Sequence, residues 1–486
     1  MPDRPNILLL LTDQQRRDSL GCYGNPICRT PHLDRLAAEG VRFEQAYTNT
    51  AICTAVRATL LTGLEPHQHG MLANFERNVG YPWELPAGLT PFSAYLRQQG
   101  YRCGVVGKWH LGLTRGPECY GFEGTHFPGW DGPVTHPAYE AYLEEHGLPR
   151  WSVRDEIRGV FPNGKPSLPM GGIYEGPVEG TYSYFLAELT IQRLRQYAAD
   201  REAHGRPFFL RTDFFGPHLP YYLPQKYADL YDPALVPPLP SMAETFEGKP
   251  RVHDWYHRHW AFDTYSWETW QKVVAMYWGY VALIDEQIGR ILAALEELSL
   301  RENTVVFFSS DHGGFVGGHR LADKGPMMYD DIYRIPLLAR WPGQAAAGSV
   351  CDAGVCDAMV TLMDLMPTFL DIAGAPIPSH VAGRSLLPLL RGQTPPDWPQ
   401  EVYLQFHGHH FPYPQRGIRT RTHKLVVNPP DVNELYDLAA DPHELRNVYD
   451  DPRYAEVRHD LLGRLYRHLV ASGDNFYHWM TTMFEV

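Results

Sequence analysis

Short, continuously apolar segments recur along the first 340 residues of the chain, and segments with helical spacing lie between them. The first apolar segment is NILLLLT at residues 6–12, which is typical of a strand covered on both faces. We predict further strands at residues 41–46, 101–106, 207–212, 304–309 and 335–341, and helices at residues 30–39, 90–99, 181–199, 270–298 and 360–374. This alternation predicts an α/β fold, with a sheet between helices.

Polar residues suited to chemistry lie just beyond the ends of four of these strands. They are Asp13 and Gln14, Lys108 and His110, His218, and Asp311 and His312. Because ligands of open α/β sheets bind at the carboxyl ends of the strands, we expect these side chains to meet at one edge of the sheet. One such coincidence carries little weight, whereas four together predict a functional site.

Four of these residues form a candidate metal site. Asp13, Gln14 and Asp311 supply oxygen atoms, and His312 supplies an imidazole nitrogen. An oxygen-rich set suits Ca²⁺, Mg²⁺ or Mn²⁺, and the imidazole leaves room for Mn²⁺ or Zn²⁺. Taken singly, each residue also has a structural explanation, such as an aspartate that caps a turn.

Residues 49–63, NTAICTAVRATLLTG, carry a lone cysteine at a change of pattern. An extended segment precedes Cys53, and a short helical run that ends at Gly63 follows it. We therefore expect Cys53 at a helix N-terminus, with Arg57 one turn further along the same face. This combination suits a nucleophile that meets an anionic substrate. A structural cysteine beside a surface arginine fits the segment alone equally well.

The segment CTAVRATLLTG resembles the motif of the formylglycine-dependent sulfatases, a family of the alkaline phosphatase superfamily. GKWHLG at 107–112 resembles the second motif of that family, and GPH at 216–218 and DKGP at 323–326 match two further positions. The resemblance continues through DHGGFVGGHRLADKGPMMYDDIYRIPLLARWPG to NELYDLAADPHELRN near the C-terminus. The sequence departs at Ala55, where the family usually has proline.

The resemblance implies an alkaline-phosphatase-like fold, with a large mixed sheet flanked by helices and a smaller C-terminal α+β domain with an antiparallel sheet. It also implies that a formylglycine-generating maturase oxidises Cys53, and that the product attacks sulfate monoesters. One divalent metal, with Ca²⁺ preferred over Mn²⁺ or Zn²⁺, is implied to bind Asp13, Gln14, Asp311, His312 and the modified Cys53.

The family pattern further assigns roles to the charged residues around the cysteine. Arg57, Lys108 and Lys324 are implied to stabilise the sulfate oxygens. His218 is implied to protonate the leaving alcohol, and His110 to take the proton whose loss expels sulfate.

The sequence changes character near residue 392, which predicts a catalytic domain at 1–391 and a smaller domain at 392–486. The second domain has strand-like segments EVYLQF, GIRTRT and HKLVVN and a closing helix at 454–471. Residues 115–180 are rich in glycine, proline and aromatic residues, and we predict long loops there. The segment HGHHF at 407–411 is either a solvated loop or part of the pocket wall.

Composition argues against some classes of function. The net charge is −13 and no run rich in lysine and arginine occurs, which argues against a nucleic-acid-binding protein. The N-terminal apolar run is too short for a membrane span and no small-residue cleavage site follows it, so we expect a cytoplasmic protein without a membrane segment. The aromatic tail at 476–484 either folds back or joins a homo-oligomer.

Two other functions remain open. A phosphonate monoester or phosphodiester hydrolase on the same scaffold also fits Gln14 and His312, although Lys108 and His110 favour sulfate esters. A non-catalytic binding protein with an unmodified Cys53 is the more distant alternative, and Ala55 is its motivation. The aromatic and acidic loops suit a sugar or aryl group as the alcohol part of a small substrate.

Overall fold

The computed structural model of the chain describes residues 4–77, 79–129, 132–342 and 354–484. The strands are β1 (Asn6–Thr12), β2 (Val41–Tyr47), β3 (Arg102–Lys108), β4 (Glu123–Phe127), β5 (Val153–Val160), β6 (Pro166–Tyr174), β7 (Phe208–Asp213), β8 (Tyr221–Pro224), β9 (Thr304–Ser310), β10 (Leu337–Arg340), β11 (Val355–Thr361), β12 (Glu401–Gly408), β13 (Pro412–Thr420), β14 (His423–Val427) and β15 (Glu434–Asp437). The α-helices are α1 (Pro31–Ala38), α2 (Cys53–Thr62), α3 (Pro66–His69), α4 (Phe92–Gln98), α5 (Pro137–Glu145), α6 (Tyr182–His204), α7 (Gln225–Ala228), α8 (Arg251–His259), α9 (Trp267–Glu297), α10 (Asp330–Tyr333), α11 (Leu365–Ala373), α12 (Leu387–Leu390), α13 (Ala455–Ser472) and α14 (Tyr477–Met483).

Eight strands form the central sheet, in the order β11-β2-β10-β9-β1-β7-β3-β4. Strand β1 lies inside the sheet and pairs in parallel with β7 and β9. Strand β10 runs antiparallel to both β2 and β9, which makes the sheet mixed. This topology confirms the predicted large mixed sheet and brings the carboxyl ends of β1, β7 and β9 to one edge.

Both faces of the sheet are covered, as the unbroken apolar run of β1 predicts. Leu8 and Leu10 pack into a core that also contains residues of α1, α6 and α9. Leu9 and Leu11 pack into a second core with residues of α2, α4 and α11. In the described part of the chain, no helix is both long enough and apolar enough to cross a membrane.

The prediction of long loops at residues 115–180 is wrong. The region contains β4, α5, β5 and β6, and β5, β6 and β8 form a separate three-stranded sheet. Strand β5 reads VRDEIRGV and is mostly solvent-facing, while β6 contains two prolines and two glycines, so neither shows the apolar alternation typical of a strand. The prediction also missed strand β11. Residue 360, where a helix was expected to begin, belongs to this strand, and the helix begins only at Leu365.

Strands β12 to β15 form an antiparallel sheet, against which α13 packs. This confirms the predicted C-terminal sheet and its closing helix, whereas the sequence did not predict β15. Met480 of α14 is fully buried among residues of this core, so the aromatic tail folds back onto its own chain. The domain boundary between residues 391 and 392 stays a prediction.

Candidate active site

The polar residues that follow β1 and β9 meet at one edge of the central sheet, as predicted. The two strands are paired in parallel to their last residues, so Asp13 and Asp311 emerge side by side. One ligand atom from each of Asp13, Cys53, Asp311 and His312 lies within 4.8 Å of the others. All four side chains are buried, which makes this cluster the centre of the candidate site.

Helix α2 holds Cys53 in this cluster. The helix begins at Cys53, after the extended Ile52, and ends at Gly63 with a φ of 68°, as the sequence predicts. Ile52 has no polar side chain to cap the helix, and Asn74 does so instead by accepting a hydrogen bond from the backbone nitrogen of Thr54 at 3.1 Å. Every residue of α2 is buried, so the position of Cys53 is fixed by packing on all sides.

Arg57 faces the cluster, and three carboxylates hold its guanidinium. Nη2 lies 3.1 Å from Oδ2 of Asp13 and 2.9 Å from Oδ2 of Asp311, and Nη1 lies 3.0 Å from Oδ1 of Asp213. Burial opposes the charge, but these carboxylates keep the pKa of Arg57 above its usual value. Arg57 therefore orients the acidic residues and partly neutralises them.

Two lysines set the electrostatics at Cys53. Nζ of Lys108 lies 2.7 Å from Oδ2 of Asp13. Burial and the charge of Asp13 raise the pKa of the Cys53 thiol, but the charges of Lys324, Lys108 and His312 outweigh them and hold that pKa well below its usual value. The site therefore favours an anion at position 53.

His312 is oriented by the backbone. Its Nδ1 donates to the carbonyl oxygen of Gly313 at 2.7 Å, which turns Nε2 towards Sγ of Cys53 at 3.1 Å. Burial and the charge of Asp13 raise the pKa of Asp311 to about 6, because the two buried carboxylates repel each other. A divalent cation between them would remove that repulsion.

Gln14 completes a donor set that fits such a cation. Its backbone nitrogen donates to Oδ1 of Asp311 at 3.1 Å, and its Nε2 donates to Oδ1 of Asp323 at 2.9 Å. Its Oε1 is buried and accepts no hydrogen bond from the described residues. An amide oxygen without a donor, two carboxylates and one imidazole match the ligand preferences of divalent cations.

His218 and Lys324 form a hydrogen-bonded pair close to the cluster. Nδ1 of His218 donates to the carbonyl oxygen of Leu219 at 2.6 Å, and Nε2 accepts a hydrogen bond from Nζ of Lys324 at 2.9 Å. Burial, followed by the charge of Lys324, lowers the pKa of His218 to about 4. The side chains of His218 and Asp323 keep 11% and 16% exposure, so they mark the opening of the site.

His110 is buried and pairs with a carboxylate. Its Nε2 lies 2.8 Å from Oε1 of Glu76, and its Nδ1 has no hydrogen-bond partner among the described residues. The ring of Phe75 packs edge-on against it, with the ring centroids 5.2 Å apart. When Nε2 donates to Glu76, Nδ1 is the ring nitrogen left to accept a proton.

Sequence reasoning missed Glu76, Asp213 and Asp323, which contact predicted residues. It also missed Asn74, which caps the helix that carries Cys53. Asp213 ends β7 much as Asp13 follows β1, and this signal alone could have identified it. Asn74 and Glu76 lie between α3 and α4, where no periodic pattern marks them.

The histidine-rich segment at 407–411 does not form a solvated loop throughout. His407 and His409 are buried, at 7% and 2% exposure. Burial raises the pKa of Asp323, but the charges of Lys324 and His409 hold it below its usual value. His409 therefore lies near the site, and the C-terminal sheet contributes to its surroundings.

Comparison with known proteins identifies the family. The family model described as Sulfatase matches residues 5–375, which is more than half of the chain. The chain belongs to the sulfatase family. A second model, described as the C-terminal part of N-sulphoglucosamine sulphohydrolase, matches residues 317–470 of this sulfatase.

Three relatives illustrate the range of similar proteins. The uncharacterized sulfatase YidJ of Escherichia coli is 32% identical, over 94% of this chain and 86% of its own length. N-acetylglucosamine-6-O-sulfatase of Bacteroides thetaiotaomicron is 26% identical, over 94% of this chain and 85% of its own. The crystal structure of phosphonate monoester hydrolase of Agrobacterium radiobacter has a TM-score of 0.78 at 25% identity and covers 96% of each chain.

These matches confirm the predicted family, the predicted fold and the predicted enzyme class. The chain is a sulfuric ester hydrolase of the sulfatase family, and its activity is the hydrolysis of sulfate esters. The roles of individual residues stay predictions.

Proposed function

We propose that this sulfatase hydrolyses sulfate monoesters at the Cys53 cluster, with Cys53 oxidised to formylglycine and one divalent cation bound. The observation that carries the proposal is the convergence of Cys53, Asp13, Asp311 and His312 within 4.8 Å of one another. A formylglycine-generating maturase performs the oxidation in the same compartment, which we propose to be the cytoplasm. Ala55, in place of proline, lies inside α2.

Asp13, Gln14, Asp311, His312 and the modified residue 53 would hold the cation, with Ca²⁺ as the proposed ion. When bound, the cation would lower the pKa of an oxygen nucleophile and withdraw charge from the sulfate. Formylglycine would supply, as its hydrate, a hydroxyl nucleophile for sulfur and a second hydroxyl through which the aldehyde can be restored. The residues of the chain then have to bind the sulfate and move two protons.

Lys108 and Lys324 bind the sulfate oxygens in this proposal. Both lie close enough to Cys53 for their charges to lower its pKa, so an anion at position 53 experiences both. Arg57 acts through other residues in this proposal, because its guanidinium holds Asp13 and Asp311 in place. As charge builds on the departing sulfate, the buried lysines stabilise it without reorganising.

Different histidines handle the two protons. Nζ of Lys324 donates a hydrogen bond to Nε2 of His218 across 2.9 Å at the opening, and we assign to His218 the delivery of a proton to the leaving alcohol. His110 has a buried Nδ1 that accepts no hydrogen bond from the described residues, and Glu76 would stabilise the imidazolium formed when Nδ1 accepts a proton. His110 is therefore the proposed base for the second hydroxyl.

An aromatic surface beside the opening favours a ring as the alcohol part of the substrate. We define this aromatic surface as Tyr256, His259, Trp260, His410 and Phe411. Oη of Tyr256 lies 3.0 Å from Nδ1 of His410, and the ring centroids of Trp260 and His410 are 5.2 Å apart.

The aromatic surface packs against the loop that carries Lys324. A Cβ atom added to Gly325 would lie 2.5 Å from the ring of Tyr256, so only glycine allows this approach. Phe411 is 38% exposed and presents an apolar face to solvent. A sugar or aryl ring stacks on such a face, and the similarity to an N-acetylglucosamine-6-O-sulfatase supports the sugar.

A phosphonate monoester or phosphodiester hydrolase is the second candidate. Gln14 and His312 occur at the candidate metal site, and the phosphonate monoester hydrolase structure shares the fold over almost the whole chain. Lys108 and His110 favour the sulfate monoester, because a second organic group on phosphorus would meet these buried side chains. A sulfate monoester has three non-bridging oxygens for them to hold.

The test is kcat/KM for an aryl sulfate, an aryl phosphate diester and an aryl phosphonate monoester that share one leaving group. We expect the sulfate ester to be preferred by more than tenfold, which corresponds to about 1.4 kcal/mol of barrier. Lys108→Ala should reduce turnover of the sulfate more than that of the diester. A preference for phosphonate by several orders of magnitude would replace the sulfatase proposal with the second candidate.

A further inference from the structure

Asp323 links the two halves of the site through one oxygen atom. Its Oδ1 accepts a hydrogen bond from Nε2 of Gln14 at 2.9 Å and another from Nζ of Lys324 at 3.0 Å. Its backbone has a φ of 35°, in the left-handed region, where a non-glycine residue is uncommon. Among the described residues, no other carboxylate forms a hydrogen bond with the side-chain amide of Gln14.

A glutamine side chain has two ends of similar shape and opposite chemistry. The NH₂ group only donates hydrogen bonds, and the carbonyl oxygen only accepts them. An ionised carboxylate only accepts, so contact with Asp323 turns Nε2 of Gln14 towards Asp323 and leaves Oε1 for the opposite side. That oxygen is buried and accepts no hydrogen bond from the described residues.

The side chain of Gln14 is also closely packed. A Cβ atom added to Gly314 would lie 2.8 Å from Cγ of Gln14, so the side chain lies directly on the backbone at that point. The backbone nitrogen of Gln14 donates to Asp311 at 3.1 Å. Packing therefore fixes where the amide lies, and Asp323 alone among the contacts described fixes which of its ends faces the cation site.

We propose that Asp323 is a positioning residue, which sets the orientation of the Gln14 amide so that its oxygen, not its nitrogen, is offered to the metal. The inference rests on the proposed function, since it requires a cation at the Asp13–Asp311 cluster. The same oxygen of Asp323 also anchors Lys324, which binds Nε2 of His218 at 2.9 Å. One carboxylate thus couples the metal ligands to the groups that handle the leaving alcohol.

The experiment measures metal affinity directly. Metal-free wild-type protein and the Asp323→Ala variant are titrated with Ca²⁺ alone by calorimetry, and with Mn²⁺ alone by the loss of the free-ion paramagnetic resonance signal. Residues that orient metal ligands typically change affinity about tenfold to a hundredfold, and we expect a loss in that range for Asp323→Ala. Asp323→Asn keeps an acceptor oxygen without the charge, and its affinity should lie between the two.

Rescue by a second substitution separates positioning from a structural role. A carboxylate offers oxygen in either orientation, so adding Gln14→Glu to Asp323→Ala should recover most of the affinity while keeping the net charge of the wild-type pair. A loop that is merely misfolded would not recover through a change at residue 14. Asp371→Ala, which removes a partly buried carboxylate that binds Ser385 away from the site, should bind both ions as tightly as the wild type.

The outcomes are distinguishable. Wild-type affinity in the Asp323→Ala variant, or no recovery on adding Gln14→Glu, would overturn the positioning role and leave the proposed function standing. Failure of the wild-type protein to bind either ion would overturn the proposed metal site, and this inference with it.

Discussion

The side-chain oxygen of Asn74 lies 3.1 Å from the backbone nitrogen of Thr54 and caps helix α2 from outside the helix. The residue before the helix is Ile52, whose side chain cannot cap, so one of the first free N–H groups of α2 depends on a distant loop. The same loop carries Glu76, the partner of His110. The start of the helix that carries Cys53 and the proposed base are therefore held by neighbouring residues.

Asn74→Ala should lower the free energy of unfolding by about 1 kcal/mol, because it removes a helix cap and leaves a buried N–H group unpaired. Asn74→Asp keeps the acceptor and should retain that stability, yet it adds a negative charge at the start of the helix that carries Cys53, which disfavours an anionic substrate and should reduce kcat/KM. Denaturant unfolding and aryl sulfate kinetics on the same preparations measure both effects. Equal stability of the alanine variant and the wild type would contradict the capping role.

Modification of Cys53 is directly observable. Peptide mass spectrometry of protein produced together with a formylglycine-generating maturase should show at least partial conversion of the thiol to the aldehyde. Cys53→Ala should abolish turnover and leave the far-ultraviolet circular dichroism spectrum unchanged, because alanine fits the buried helix start. Full esterase activity from protein that contains only the thiol would refute the proposed mechanism.

Arg57→Ala should destabilise the fold strongly. The substitution leaves three buried carboxylates, Asp13, Asp213 and Asp311, without their shared guanidinium, and breaking a buried ion pair typically costs about 3–5 kcal/mol. Saturating Ca²⁺ should return part of this loss, about 2.7 kcal/mol at a hundredfold excess over Kd, because the ion binds the folded state.

Urea unfolding with and without Ca²⁺ measures both effects of Arg57→Ala. Arg301→Ala, at a partly exposed arginine that pairs with Glu39, is the control and should cost less than about 1 kcal/mol. A loss below about 1 kcal/mol for Arg57→Ala would show that the three carboxylates do not depend on the guanidinium of Arg57.

The carboxylate of Glu244 should stabilise the folded chain less in acid than at neutral pH. Burial raises the pKa of Glu244, but hydrogen bonding to His319 and the charge of Lys249 outweigh it and lower the pKa from 4.5 to about 2. The stabilisation is complete above the unfolded-state value of 4.5 and is lost as the pH falls towards 2, and it amounts to about 3 kcal/mol.

The Glu244→Gln variant should therefore be less stable than the wild type at pH 7, with a difference that shrinks as the pH falls below 4.5. Guanidinium unfolding at a series of pH values tests this, with Glu247→Gln at an exposed neighbouring position as the control. A difference that does not change with pH would mean that the carboxylate charge is not what stabilises the fold.

The sequence predicted the centre of the site well, for a physical reason. Asp13 and Asp311 follow strands whose apolar runs are continuous, and parallel pairing of such strands places their ends together. Asp323 and Asn74 could not be predicted in the same way, because their roles depend on loop geometry that no periodicity encodes. The separate sheet of β5, β6 and β8 escaped prediction because polar, proline-containing strands lack the apolar alternation on which strand prediction depends.

The complete burial of Cys53 imposes an order of events on biosynthesis. Its side chain has 0% exposure, and every residue of the helix around it is buried, so an oxidising enzyme cannot reach the thiol in the folded chain. The proposed maturase would therefore have to meet residues 53–63 while the polypeptide is still extended, before the central sheet forms around them. A molecule that folds first would keep the Cys53 thiol for as long as it stays folded. The active fraction of a preparation would therefore depend on the rate of Cys53 oxidation relative to the rate of folding during synthesis.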